Sequence, residues 1–303
     1  MSTDRLIQGL AVLALAGTFT AASAAVTQAS AASAAVSEAA AAPASDALYV
    51  ALPAGGLRTV LATDADREQR LPVAAFAMRR QPVTVAEFAA FVAGHPQWQR
   101  SQAPAAFAGR GYLQHWVDER HPAVAASPRQ PVTEVSWFAA QAFCDAERPG
   151  GRLPSWNEWE YAAAADATRT DARQDPAWRA TILAWYARPS SSAPADVGGP
   201  PNAYGVQDLH GLVWEWVDDF NALLVSADSR QNDDPDKLRF CGAGAISLQD
   251  RENYAVLMRI ALLSSLGAAD STGNLGFRCV WPAPASTATP SSADATAGEP
   301  AAR

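Results

Sequence analysis

Long apolar runs are missing from this 303-residue chain once its first twenty-five residues are passed. Nothing later approaches the roughly 20 apolar residues a spanning helix needs, so no membrane span is expected after residue 25. Runs of Lys or Arg are missing too, and the net charge is −8. A nucleic-acid surface is therefore not expected, and anionic membrane is no obvious partner. Histidine is scarce, at four residues. His95, His115 and His121 show no His-x-x-x-His or similar metal spacing and are read as loop histidines. There is no internal repeat. Cysteine amounts to three residues, so any single pairing leaves one over.

What is present is alanine, concentrated near the N-terminus, and ten tryptophans. The tryptophans argue for a globular body rich in aromatic packing. Met1 to Ala25 reads as a secretory signal: Arg5, an apolar stretch from Leu6 to Phe19, then small residues at Ala22-Ser23-Ala24. An anchor left uncleaved is the alternative, and a periplasmic or secreted location follows from cleavage. Residues 26–46 form an Ala/Ser-rich spacer, and from Ala283 onward Ser, Thr, Ala and Pro give a disordered tail. Between them, 47–282 reads as one domain.

Within that domain, apolar runs at Ala47–Pro53 and Leu71–Met78 read as short strands. Thr84-Val-Ala-Glu87 and Ser155-Trp-Asn-Glu158 are capping boxes, each opening a helix; Ser136 caps a third that starts at Trp137. Residues 95–130 are irregular. Residues 167–200 are polar and Pro/Ser-rich, with Trp178, Leu183, Trp185 and Tyr186 suggesting that part packs down. Tyr254, Leu257, Met258, Ala261 and Leu262 recur at helical spacing as a buried face. Asn274–Val280 reads as a final strand. Short strands, short capped helices and much loop predict an irregular α+β fold.

The densest stretch is Asn202-Ala-Tyr-Gly-Val-Gln-Asp-Leu-His-Gly-Leu-Val-Trp-Glu-Trp216. Asp208, Gly211, Val213 and Glu215 alternate so that a carboxylate, two backbone carbonyls and a second carboxylate could surround calcium, which takes mixed oxygen ligands of this kind. The competing reading makes Trp214 and Trp216 core and Glu215 the cap of a buried hydrogen-bond network. Spacing alone leaves both open.

Four segments in order, Pro131-Val-Thr-Glu-Val-Ser-Trp137, Gly151–Tyr161, Asn202–Trp216 and Asn274-Leu-Gly-Phe-Arg-Cys279, resemble the formylglycine-generating enzyme (sulfatase-modifying factor) superfamily. The resemblance implies a loop-rich relative of the C-type-lectin-like fold. It implies a structural calcium ion on Asp208, Gly211, Val213 and Glu215, and a disulfide between Cys144 and Cys279. The family's second calcium site, an Asn-Ile pair and a later Asp-x-Phe, finds no counterpart in 167–200.

The oxidases of that family bind copper(I) through two cysteines five residues apart, a soft thiolate pair suited to the ion. Here the turn is Cys241-Gly-Ala-Gly-Ala245, no cysteine lies between Ile246 and Leu263, and Ser247 and Glu252 stand about where the pair belongs. Copper is therefore not expected as a cofactor. The ergothioneine-type branch needs a three-histidine iron site on an added helical domain, absent from this chain. His210–Trp216 with Leu212, Asp219-Phe-Asn221, Ser229-Arg230, Phe240–Ala245, Tyr254–Arg259 and Ser264–Leu266 resemble the exported NirV-type proteins, encoded beside copper nitrite reductases or copper-chaperone-like proteins. That resemblance implies an accessory role in maturing an exported redox enzyme, through a protein partner. The alternatives are a copper-dependent oxidase converting cysteine to formylglycine, and a lectin-like ligand binder. Cys241 is the one catalytic candidate, open between buried thiol, free thiol and metal ligand, with Met258 as a conceivable soft partner.

Overall fold

The computed structural model describes residues 47–58, 70–123, 126–188, 193–223 and 254–283. The expected signal and spacer, Cys241 with its turn, Ser247, Glu252, Ser229-Arg230 and the tail beyond its first residue lie outside the described residues.

Three small sheets are scattered among helices and loops. β1 (Tyr49–Leu52), β4 (Phe76–Arg79) and β7 (Val280–Pro282) form an antiparallel sheet in the order β1-β4-β7. β2 (Gly55–Leu57) pairs with β3 (Leu71–Val73), and β5 (Trp214–Glu215) runs parallel to β6 (Leu275–Gly276). The single strand expected over Leu71–Met78 is thus two, belonging to different sheets. The final strand expected over Asn274–Val280 is also two, because Phe277–Cys279 leave the ladder between β6 and β7. Both ends of this segment are fixed by chain distant in sequence. Gly276 fits only as glycine, since a Cβ there would meet the Val132 carbonyl oxygen at 2.6 Å.

The caps act as their chemistry predicts. Thr84 and Ser155 accept from the N–H groups of Glu87 and Glu158, whose carboxylates return to the cap N–H groups, opening α1 (Val85–Gly94) and α3 (Trp156–Ala163). Ser136 opens α2 (Trp137–Glu147), accepting from Ala139 N–H. Pro176–Tyr186 form α4, capped by Asp175, in the stretch whose aromatics suggested packing. The fifth helix, α5 (Tyr254–Ser264), has a different inner face from the one expected. Arg259, Ile260 and Leu263 are buried, while Tyr254 and Met258 are exposed. An apolar pattern cannot foresee this, because a charged residue sits at the centre of the buried face.

Phe88, Phe91, Phe143 and Phe277 pack in the core, mostly tilted or edge-on, joining α1, α2 and the link between β6 and β7. Beside them Cys144 of α2 is bonded to Cys279, with Cα atoms 5.4 Å apart. The expected pairing is present. Among the described residues, no helix is long and apolar enough to cross a membrane.

Candidate functional site

The loop before β5 is tied down by its own polar residues. The Asn202 side-chain Oδ1 accepts from Tyr204 and Val206 N–H at 3.0 and 3.1 Å, and its Nδ2 donates to the Ala162 carbonyl at 2.9 Å. Asp208 holds a left-handed backbone, φ 60°, and Gly211 follows at φ 96°. The Asp208 carboxylate accepts from Gly198 N–H at 2.8 Å and Gly199 N–H at 2.9 Å.

Glu215 lies beneath the loop with no solvent exposure. Arg278 donates to it through Nε and Nη2, each at 2.8 Å, and Trp159 Nε1 donates at 2.7 Å. The remaining Arg278 donors reach the carbonyls of Arg79, Arg80 and Gln207. One buried guanidinium therefore binds the end of β4, the loop before Asp208 and β5 together.

For a calcium ion this arrangement fits in part. Among the described residues, the Gly211 and Val213 carbonyls accept no hydrogen bond, and each Asp208 oxygen accepts one. Glu215 fits less well: three donors occupy its oxygens and its charge is balanced by Arg278. A carboxylate offers about four acceptor positions, so little is left for an ion. Among the described residues, no group of three or more His, Cys, Asp or Glu gathers as a metal site.

Trp159 of α3 is the centre of a second buried cluster. Its Nε1 holds Glu215, the Arg259 guanidinium lies over its ring at 2.9 Å, and His210 meets it edge-on at 5.6 Å. Arg259 also sits 3.7 Å from Glu160. Burial lowers the Arg259 pKa to about 10, against the opposing pull of Glu160, and burial raises the Glu160 pKa despite Arg259 and Arg173. His210 Nε2 donates to the Ala163 carbonyl at 2.9 Å. Burial first, then the nearby Arg259 and Arg278 charges, lower its pKa to about 4. The imidazole is neutral at ordinary pH. Sequence reading gave neither Arg259 nor Glu160 a role; the only available signal was a charge inside an apolar helical face.

Above these groups a cleft of about 540 Å³ opens between α4, the loop and α5. Trp185, Tyr186, Leu212, Trp214, Met258 and Asn274 line it. Trp214 packs against Tyr186 and Trp185 at 4.9 and 5.6 Å between ring centroids. Trp214 stands in β5, and its two aromatic partners end α4. Leu212 and Met258 give the cleft apolar walls, suited to an apolar or aromatic side chain of a ligand. The structure thus joins Gly211 and Val213 to the cleft, and buries Glu215 away from it as the partner of Arg278.

Residues 33–283 match the model of the sulfatase-modifying factor enzyme 1-like domain. The chain belongs to that family. It is 35% identical over 173 residues to the formylglycine-generating enzyme of Streptomyces coelicolor, covering 50% of this chain and 52% of that protein. It is 27% identical over 290 residues to the formylglycine-generating enzyme of Mycobacterium tuberculosis, covering 76% and 96%. The hercynine oxygenase of Mycolicibacterium smegmatis is 34% identical over 161 residues, 48% of this chain and 37% of that one. The match spans about half the length of the Streptomyces relative, and less of the hercynine oxygenase. Among solved structures, PvdO from Pseudomonas aeruginosa aligns with a TM-score of 0.42 and 19% identity, over 77% of this chain and 94% of that one.

Proposed function

We propose that this chain is an exported accessory protein that binds part of a partner, a redox enzyme under maturation, in the cleft floored by Trp214. The cysteine count carries this reading. Of three cysteines, Cys144 and Cys279 are bonded to each other, which leaves Cys241 alone. A copper(I) site of two thiolates cannot be assembled from one thiol of one chain, and soft thiolate ligands are what that ion selects. The family fold is retained without the pair that performs the oxidation in its copper-dependent members. What remains is an aromatic cleft, and binding is the function such a cleft serves. The likeness to NirV-type proteins in the loop and α5 supports a redox enzyme as the partner, and the N-terminal pattern supports export.

The oxidase reading is separated from this one by a single incubation. A Cys-x-Pro-x-Arg peptide with copper and oxygen should keep its mass when this protein is added. Conversion of its cysteine to formylglycine would overturn the proposal. In parallel, the full chain used as bait in periplasmic extract should recover an exported redox enzyme, and Trp214→Ala should lose it. Recovery of no such enzyme counts against the partner.

Calcium on Asp208, Gly211 and Val213, with Glu215 sharing, is part of the same proposal as a rigidifying ion. The Gly211 and Val213 carbonyls, which accept no hydrogen bond among the described residues, support it. A lectin-like role rests on fold analogy alone.

A further inference from the structure

Leu113 and Glu134 both adopt the left-handed backbone region, at φ 47° and 60°. A branched residue such as leucine rarely enters it, and such conformations persist only where the surroundings enforce them. The two strained positions are coupled, because Leu113 N–H donates to the Glu134 carbonyl at 2.9 Å. Their joint effect is to set one side chain. His115 N–H donates to Glu134 Oε2 at 2.9 Å, and His115 Nδ1 bonds to Oε1 of the same carboxylate.

The pair is asymmetric in its access to water. The Glu134 side chain is 9% exposed and that of His115 71%. With Nδ1 engaged, Nε2 is the ring nitrogen left for a ligand. Both residues line a cleft of about 580 Å³, together with Trp116, Gln130, Thr133 and Asn274. This cleft shares Ala193, Pro194, Gly273 and Asn274 with the Trp214 cleft, so the two are contiguous. Nothing in the core needs a solvent-facing histidine. A strained, buried carboxylate directed at such a histidine fixes its tautomer and orientation, as in carboxylate–histidine pairs at working sites.

We propose that His115 is a proton acceptor for a hydroxyl- or thiol-bearing ligand in this cleft, with Glu134 as its positioning residue. The ligand's O–H or S–H proton moves to Nε2, leaving an oxyanion or thiolate. The imidazolium so formed keeps its Nδ1–H on the Glu134 carboxylate. No oxidant or further reactant is needed. The assignment stands whether or not the Trp214 cleft holds a partner.

His121 supplies an internal control. Its Nδ1 lies 2.8 Å from Asp118, but that carboxylate is 54% exposed and Asp118 is not in the left-handed region. In the full-length protein at neutral pH, nitrogen NMR should show His115 in the Nδ1–H tautomer, and diethyl pyrocarbonate should modify its Nε2 faster than that of His121. Glu134→Gln, folded by circular dichroism, loses the tautomer preference and slows modification about tenfold, leaving His121 unchanged. As an O–H probe, p-nitrophenol added to the wild type develops its phenolate absorbance beyond the buffer value, and His115→Ala abolishes the gain. An Nε2–H tautomer in the wild type overturns the proposal. So does a His115 rate that Glu134→Gln leaves unchanged, or a phenolate signal that survives His115→Ala. If Glu134→Gln fails to fold, the tautomer of the wild type and the His115→Ala titration still decide it.

Discussion

Arg278 and Glu215 meet through two hydrogen bonds of 2.8 Å, with neither side chain reached by solvent. Glu215 ends β5, and Arg278 lies two residues beyond its parallel partner β6. Removing one partner strands a buried charge, so Glu215→Gln and Arg278→Met each cost about 3–5 kcal/mol. The double variant loses less than the sum by about 1–3 kcal/mol, because the stranded charge is gone. Urea denaturation of the four proteins measures the coupling. Strictly additive losses would show that the pair does not act as a unit.

The bond between Cys144 and Cys279 closes a sequence separation of 135 residues. In the chain-entropy model a loop of this size stabilises the fold by about 5 kcal/mol, acting on the unfolded chain. Cys144→Ala with Cys279→Ala therefore unfolds at a clearly lower urea concentration than the wild type. Reduction of the wild type produces the same shift. An unchanged midpoint would mean that the unfolded chain is already compact around this pair.

Local chemistry was the most readable part of the sequence. The caps at Thr84, Ser136 and Ser155 appear at the expected residues, since a cap needs only its own next three positions. The mixed fold class follows from the same short elements. Tertiary charge was not readable. Arg259 looks like a surface residue in sequence, yet it is buried over Trp159, and it rotates the inner face of α5 away from the expected one. His115 and Glu134 are 19 positions apart and meet only because Leu113 and Glu134 take a backbone conformation that no periodicity encodes. In the loop 202–216, Glu215 closes a buried hydrogen-bond network, as one of the two readings expected, and among the described residues nothing donates to the Gly211 and Val213 carbonyls.

Calcium is tested by the other carboxylate of that loop, because any change at Glu215 also strands Arg278. A ligand that binds only the folded state raises stability with its concentration, by about 2.7 kcal/mol at a hundred times its dissociation constant. Thermal melting in chelator should therefore fall below that in millimolar calcium, and Asp208→Asn should narrow the gap. Magnesium should substitute poorly, because it prefers a tight octahedral shell to a loop of carbonyls. Identical melting in chelator and calcium would remove the ion from the loop and leave Arg278 as the sole cation of Glu215.

The last expectation concerns acid. Burial, with the neighbouring arginines, lowers the His210 pKa from 6.5 to about 4 in the folded chain. Above pH 6.5 both folded and unfolded forms carry neutral imidazole, and His210 adds no pH dependence. Between 6.5 and 4 the unfolded chain takes up the proton while the folded one does not, so stability falls as pH falls. Below about 4 both are protonated and the loss levels off, at up to about 3 kcal/mol from this group. His210→Gln keeps an amide donor for the Ala163 carbonyl but cannot titrate. Urea unfolding at several pH values between 7 and 4.5 should therefore show the wild type losing its advantage over His210→Gln as pH drops. Parallel curves for the two proteins would mean that His210 accepts its proton in the folded state as readily as in the unfolded chain, and that the Trp159 cluster opens to water in acid.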